Sequence, residues 1–278
     1  MKLPTKVEFV KCSPTQNMTV LVKTPVPIEH QYTVGKELIA YGHIGGEQCG
    51  FLMLPKNKKA DFGLRMMAGE FCGNATISLG AYGMHTQLPD AKIGEVKAFF
   101  MEVSGAETLL SCSMEKTEQG YAGTIEMPLP IAIETTDFPF GGTVYTCTVV
   151  QFLGISHIII ERDDLSQATV EEMANAWAKE ELLGEAFGIL LWNPQKKTLM
   201  PYVYLKGFGG IFEHGCGSGT SAIGIYEAQK RNENCTTFCE QKGGVMSVFV
   251  ELDEVHFPKK IVLKGGVSIV AEGTAFLS

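Results

Sequence analysis

The sequence predicts an α+β protein built from two related domains, and three observations indicate this class. The chain has 278 residues, whereas a domain commonly has about 150. Most of it consists of short runs of β-branched and aromatic residues that end at Gly, Pro, Asn or Asp, a pattern typical of strands. The segment that begins at Cys72, CGNATISLGAY, returns at Cys216 as CGSGTSAIGIY. We therefore interpret the chain as two pseudo-symmetric halves that arose by internal duplication.

Strands account for most of the predicted elements. The predicted strands cover residues 6–12, 17–23, 50–55, 61–67, 95–104, 107–114, 143–151, 155–161, 187–193, 199–206, 245–252 and 260–271. Amphipathic helices are predicted near 29–41 and 168–183. The second of these has a capping-box pattern from Thr169 to Glu172, and Gly184 is expected to stop it.

The domain limits are predicted from a proline-rich stretch that runs from Met127 to Gly142. The expected domains are 1–128, to which a C-terminal strand over 265–278 returns, and 129–264.

Charge and composition exclude several classes of function. The 23 Lys and Arg residues against 31 Asp and Glu residues give a formal net charge of −8, which argues against nucleic acid or an anionic membrane as a partner.

No apolar run has the length of a membrane helix or a signal peptide, so a cytoplasmic location is expected. The eight cysteines are then expected to be thiols. The histidines follow no metal-binding spacing and no nucleotide-binding glycine motif follows a strand, so neither a metal nor a cofactor is predicted.

The repeated Cys-Gly segment points to chemistry. In each copy apolar residues follow the cysteine at helical spacing, which predicts a helix that starts at Cys72 and another that starts at Cys216. A helix N-terminus would lower the pKa of the thiol and would also bind an anion such as a carboxylate. Two such thiols facing each other across a domain interface could remove a proton from one face of a carbon and return one to the other. The alternative is that both cysteines are small buried hydrophobic residues.

At these residues the chain resembles the diaminopimelate epimerase family of cofactor-independent amino-acid racemases. The resemblance implies that each half is a mostly antiparallel, barrel-like sheet around a central helix. It identifies Cys72 and Cys216 with the two catalytic cysteines of the family. It also implies that the substrate is bound by an asparagine near the N-terminus, by an acidic residue and the glutamine that follows it, and by the residues directly after each cysteine. These are Asn17, Glu47, Gln48, Gly73, Asn74, Gly217 and Ser218.

Departures from the family pattern bear on the substrate. The family's Gly-Asn-Pro-His segment is here the segment from Gly154 to His157, in which Ile155 replaces the asparagine. A further asparagine is missing from FGILLW at 187–192, and the four residues directly before Cys216, from Phe212 to Gly215, include no arginine. Other details resemble instead the histidine racemase branch of the family, known from opine-type metallophore pathways: the segments EFCGNAT from Glu70 and CGSGT from Cys216, the pair Glu47–Gln48, and Glu213. The resemblance then makes Glu47 and Glu213 candidates for binding the α-ammonium or the imidazole of the substrate.

The sequence therefore leads to a cofactor-independent, two-base racemase that interconverts L- and D-histidine. The expected partner is a small-molecule amino acid, and a homodimer is left open as the assembly. An epimerase of diaminopimelate or lanthionine is the alternative enzyme. A non-catalytic thiol switch, in which Cys72 and Cys216 form a disulfide between domains, is the alternative from another class.

Overall fold

The computed structural model describes residues 4–278, which form a sheet-dominated α+β protein. Two compact units divide the chain. The first extends to Glu126 and includes Lys264–Ser278, and the second is Met127–Leu263. Among the described residues, no helix is long and apolar enough to cross a membrane.

The strands of the first unit form a closed ring. They are β1 (Lys6–Pro14), β2 (Thr19–Val22), β3 (Gln48–Met53), β4 (Phe62–Met66), β5 (Val96–Val103), β6 (Leu110–Thr117), β7 (Gly120–Glu126) and the second part of β16 (Pro258–Phe276). They pair in this order, and β16 closes the ring by pairing antiparallel with β1. The pairs β2–β3 and β4–β5 are parallel. A closed ring leaves no strand edge of the barrel unpaired.

Helix α2 (Gly73–Gln87) lies inside this barrel, whereas α1 (Ile28–Ile39) packs through Val34 and Leu38 on residues of β2 and β3. The residues of α2 from Gly73 to Ala81 are all buried, and the helix contacts strands from β1 to β7. A helix that is buried on every side is surrounded by protein rather than by solvent. The barrel therefore holds the N-terminus of α2 in a fixed place.

The second unit has its own sheet. Its strands are β8 (Ala132–Phe140), β9 (Thr143–Phe152), β10 (Ile155–Ile160), β11 (Ala186–Asn193), β12 (Thr198–Leu205), β13 (Gly209–Phe212), β14 (Cys235–Gln241), β15 (Gly244–Leu252) and the first part of β16. The strand order is β8-β9-β10-β11-β12-β14-β15-β16, with β13 paired to β12. Helix α4 (Gly217–Arg231) is buried along most of its length and packs on β10, β11, β14 and β15.

A third helix, α3 (Gln167–Trp177), covers another part of this sheet. Val170, Met173, Ala174 and Trp177 lie on its buried face, in a core cluster with residues of β9, β10 and β11. The aromatic ring of Trp177 packs on Phe138, and its indole nitrogen donates to the carbonyl of Pro139 at 3.1 Å. A short 3₁₀ helix follows at Glu181–Leu183.

Several predicted elements are confirmed and others need correction. Helices begin directly after Cys72 and Cys216, as the motif predicts. The capping box at Thr169 is wrong, because Ser166 caps α3 and its hydroxyl accepts from the backbone nitrogen of Thr169 at 3.1 Å. Helix α3 ends at Trp177, and Gly184, with φ of 63°, ends the 3₁₀ helix instead. The internal duplication stays a prediction.

Candidate active-site cysteines

Cys72 caps helix α2 in the first unit. Its Sγ atom accepts a hydrogen bond from the backbone nitrogen of Ala75 at 3.3 Å. The thiol donates to Oε1 of Gln48, and Nε2 of Gln48 donates to Oδ1 of Asn17 at 2.5 Å. Cys72 is half-buried, whereas Asn17 is fully buried. A chain of neutral amide groups therefore holds the thiol at the start of the helix.

Local backbone structure places this amide chain. Thr15 and Gln16 adopt left-handed backbone angles, with φ of 46° and 57°, in the turn after β1. The turn is closed by the backbone nitrogen of Asn17, which donates to the carbonyl of Pro14 at 2.8 Å. The carbonyl of Met18 then accepts from the nitrogen of Glu47 at 2.8 Å, so the half-buried Glu47 lies beside the same turn.

Cys216 caps helix α4 in the second unit, and it is more deeply buried than Cys72, with 3% of its surface exposed. Its Sγ atom accepts from the backbone nitrogen of Gly219 at 3.3 Å and lies 3.7 Å from Oγ of Ser218. The backbone nitrogen of Cys216 donates to Oε1 of Gln241 at 2.8 Å. The same glutamine donates to Oγ1 of Thr220 at 2.9 Å, so it supports the first turn of α4 at two points.

The pKa of the Cys216 thiol is raised well above its ordinary value. Burial is the largest cause, followed by the negative charge of Glu213 and a hydrogen bond between the thiol and Glu213. The hydrogen bond from the backbone of Gly219 and the contact with the Ser218 hydroxyl act in the opposite direction. The expectation that the helix N-terminus lowers the pKa of this thiol is therefore wrong, because burial and a neighbouring carboxylate outweigh the helix. Glu213 therefore favours the protonated form of the Cys216 thiol.

The remaining predicted residues lie in the first turns of the two helices. Gly73 and the buried Asn74 open α2, and Gly217 with the half-buried Ser218 opens α4. Backbone N–H groups in a first helical turn point away from the helix body and bind anions. Each unit therefore contains a thiol together with a structure suited to a carboxylate.

Five other cysteines are buried in the two units. Burial raises the pKa of the Cys12, Cys112 and Cys147 thiols to about 12. It also raises the pKa of the Cys49 and Cys239 thiols. Such thiols stay protonated and unreactive at neutral pH. In the part of the chain that the structure describes, no cluster of three His, Cys, Asp or Glu residues could hold a metal ion.

Two residues near Cys216 were not among the predicted site residues. Gln241 is 25 residues beyond the cysteine and ends a strand that the sequence pattern did not reveal. His157 is fully buried, and its Nε2 atom lies 2.9 Å from Oγ of Ser218. A signal for His157 exists in the sequence, since it is the one ionisable residue in the otherwise mostly apolar run ISHIII.

Comparisons with known proteins fit this picture. The family described as "Histidine racemase CntK N-terminal domain" matches residues 6–276. A histidine racemase from Staphylococcus aureus (strain Mu50 / ATCC 700699) is 29% identical over 278 residues, which cover 98% of both chains. A histidine racemase from Fusobacterium nucleatum subsp. nucleatum (strain ATCC 23726 / VPI 4351) is 28% identical and covers 98% of this chain, with 97% of its own length matched.

A solved structure supports the fold. A hydroxyproline epimerase from Agrobacterium vitis superposes with a TM-score of 0.74, at 9% sequence identity, over 100% of this chain and 94% of its own. At that identity the likeness concerns the fold alone.

Proposed function

The chain belongs to the histidine racemase family and is an amino-acid racemase, and on that premise we propose that it interconverts L- and D-histidine without a cofactor. Cys72 and Cys216 are the two acid–base groups in this proposal. D-Histidine produced in this way would serve the synthesis of a metallophore.

One observation carries the proposal: each cysteine is the capping residue of a buried helix. The first-turn N–H groups of the two helices bind the α-carboxylate of the substrate. When the α-proton leaves, negative charge spreads onto that carboxylate, and the same N–H groups stabilise it. The thiols and the anion-binding groups are therefore supplied by the same two short segments.

Proton transfer follows from the groups around each sulfur. One cysteine, as a thiolate, takes the α-proton, and the other, as a thiol, gives its proton to the opposite face of the α-carbon. Each turnover leaves the two sulfurs with exchanged protonation states, so the reverse enantiomer uses them in exchanged roles. The proposal requires that the thiols act on opposite faces of one α-carbon.

The surroundings of the two sulfurs differ. The thiol of Cys72 donates to a neutral amide oxygen of Gln48. Burial and the negative charge of Glu213 favour the protonated form of Cys216. In this proposal Cys216 therefore starts as the acid, and Cys72 is the sulfur that loses its proton first.

Histidine is the substrate that the relatives and the sequence favour together. Both relatives above are named histidine racemases. The chain has Ile155 where diaminopimelate epimerases have an asparagine, so one group for a distal amino-carboxylate is missing. Asn17, Gln48 and the first helical turns hold the backbone of the substrate in this proposal. Glu47 or Glu213 binds its ammonium or its imidazole.

The test is α-proton exchange in D₂O with purified, reduced protein and no added cofactor. L-Histidine is compared with meso-diaminopimelate, lanthionine, proline and hydroxyproline, by NMR for deuterium and by chiral chromatography for optical purity. Deuterium in histidine together with loss of optical purity supports the proposal. Turnover of another amino acid but not histidine overturns the substrate and keeps the mechanism. Turnover of none of them by the reduced protein, together with a Cys72–Cys216 disulfide found by mass spectrometry when the reductant is omitted, supports the thiol switch.

A further inference from the structure

A continuous line of polar atoms in the second unit runs from His157 through Ser218 to Cys216. Nε2 of His157 lies 2.9 Å from Oγ of Ser218, and Oγ of Ser218 lies 3.7 Å from Sγ of Cys216. His157 lies on β10, and Ser218 belongs to the first turn of α4. The line therefore joins the sheet to the sulfur at the end of the helix.

The imidazole of His157 is neutral. The side chain is completely buried, and this burial lowers its pKa to about 3. Burial is the cause of this shift, and no charge among residues 4–278 contributes to it. Its surroundings include the ring of Phe152, 6.2 Å away between centroids, and the backbone of Gly188 on β11.

The proton of this neutral ring belongs on Nε2. The Nδ1 atom is buried and has no hydrogen-bond partner among residues 4–278. A proton on Nδ1 would leave a buried N–H donor without an acceptor, and such donors are rare because they are costly. A proton on Nε2 is instead donated to Oγ of Ser218.

The direction of this hydrogen bond decides the direction of the next one. Since Oγ of Ser218 accepts from His157, its own proton is available to the sulfur of Cys216. We propose that the Ser218 hydroxyl donates a hydrogen bond to the Cys216 sulfur, and that His157 is the positioning residue that orients this hydroxyl. A donor at this place stabilises the thiolate and therefore lowers the pKa of the thiol. This offsets part of the increase in pKa that burial and Glu213 cause.

The use of this hydrogen bond in proton transfer rests on the proposed function, but the bond itself can be measured without any substrate. The titratable group that faces Cys216 from its own unit is Glu213, which is retained in every variant below. A change in the pKa of the thiol then reports on Ser218 and His157.

The first experiment determines the tautomer of His157 by ¹⁵N NMR of the full chain at neutral pH. Among the six histidines, the signals that disappear in His157→Gln are those of His157. The inference expects a neutral ring with its proton on Nε2. A proton on Nδ1, or a charged ring at neutral pH, overturns it.

The second experiment measures the pKa of Cys216 from the ultraviolet absorbance of its thiolate, as the difference between each protein and the same protein with Cys216→Ala. Ser218→Ala removes the donor and is expected to raise the pKa by about one unit, or tenfold in the ionisation constant. Ser218→Thr keeps the hydroxyl and is expected to keep the pKa near that of the parent.

His157 is tested by the same titration with two variants. His157→Leu removes the N–H and is expected to raise the pKa of Cys216, whereas His157→Gln restores an N–H donor and lowers it again. A loss of packing alone would not be reversed by glutamine. An unchanged pKa in Ser218→Ala overturns the inference, whatever the racemase assay gives. The parent protein's failure to exchange histidine would overturn the proposed function alone.

Discussion

The side-chain oxygen of Gln241 lies 2.8 Å from the backbone nitrogen of Cys216, and both groups are buried. Gln241 ends β14, and Cys216 precedes α4, so this hydrogen bond fixes the start of the helix against the end of a strand. The second bond of Gln241, to Thr220, fixes the next residues of the same turn. The sulfur of Cys216 is therefore placed by a glutamine outside the Cys-Gly motif.

Gln241→Leu is expected to destabilise the second unit by about 1–3 kcal/mol, because the buried N–H of Cys216 loses its acceptor. Denaturant unfolding followed by tryptophan fluorescence detects the unfolding of this unit, since Trp177 and Trp192 both belong to it. Gln195→Leu, at an exposed position of the same unit, is the control and should change stability by less than about 0.5 kcal/mol. Equal effects of the two variants would contradict the role of Gln241.

The space beside His157 gives a second prediction. Gly188 pairs with His157 across β10 and β11, and a Cβ atom added to this glycine would overlap Nδ1 of the imidazole. Gly188→Ala should therefore displace the ring, break its bond to Ser218 and cost about 1–3 kcal/mol in the free energy of unfolding. The measurement is again unfolding followed by tryptophan fluorescence.

A double variant separates this displacement from a general intolerance of alanine. Gln is more flexible than His, so Gly188→Ala in a His157→Gln background should cost less than the two single changes added together. Strict additivity would show that the imidazole is not what alanine meets. Gly266→Ala, in β16, is a matched change with open space around the added Cβ and should leave racemase activity unchanged.

The two cysteines and their helices could be predicted from the sequence because the pattern that marks them is local. Both cysteines are followed by glycine and by apolar residues at helical spacing, and both prove to be N-caps. The strand β8 was missed, since Pro128, Pro130 and Pro139 made its region look like a linker. Pro139 is tolerated because β8 lies at the end of the strand order and pairs with β9.

What the sequence could not provide depends on the tertiary fold. Gln241 reaches Cys216 through a strand pairing, and no residue pattern near the cysteine records it. The sign of the pKa shift at Cys216 was wrong for the same reason, because the motif reveals the helix N-terminus but not the degree of burial. His157 could be recognised as unusual in its strand, but its partner Ser218 could not.

The buried imidazole also predicts a dependence of stability on pH. His157 has a pKa of about 3 in the folded protein and an ordinary value of 6.5 when unfolded. Its contribution to stability is fully present above pH 6.5 and is lost as the pH falls toward 3, because the unfolded chain binds the proton more readily. The loss is about 1.4 kcal/mol for each pH unit.

The check compares the pH dependence of unfolding in the parent protein and in His157→Gln, by tryptophan fluorescence between about pH 6.5 and pH 4. The variant should show a slope smaller by about 1.4 kcal/mol per pH unit, even if it is less stable at pH 7. His30→Gln, at a half-buried histidine of the first unit, should keep the slope of the parent. Parallel curves for the parent and His157→Gln would contradict a neutral buried ring.

The two-thiol mechanism predicts that the single cysteine variants differ in kind as well as in rate. Cys72→Ala and Cys216→Ala should each lower racemisation by at least about 100-fold, since an acid or a base of the reaction is missing. The thiol that remains can still remove the α-proton from the one face it reaches. In D₂O one variant should therefore exchange the α-proton of L-histidine, and the other that of D-histidine, without inversion.

Cys235→Ala, at a partly buried thiol of β14, should keep the activity of the parent. Parental rates in both active-site variants, or exchange of the same enantiomer by both, would refute the assignment of the two sulfurs to opposite faces.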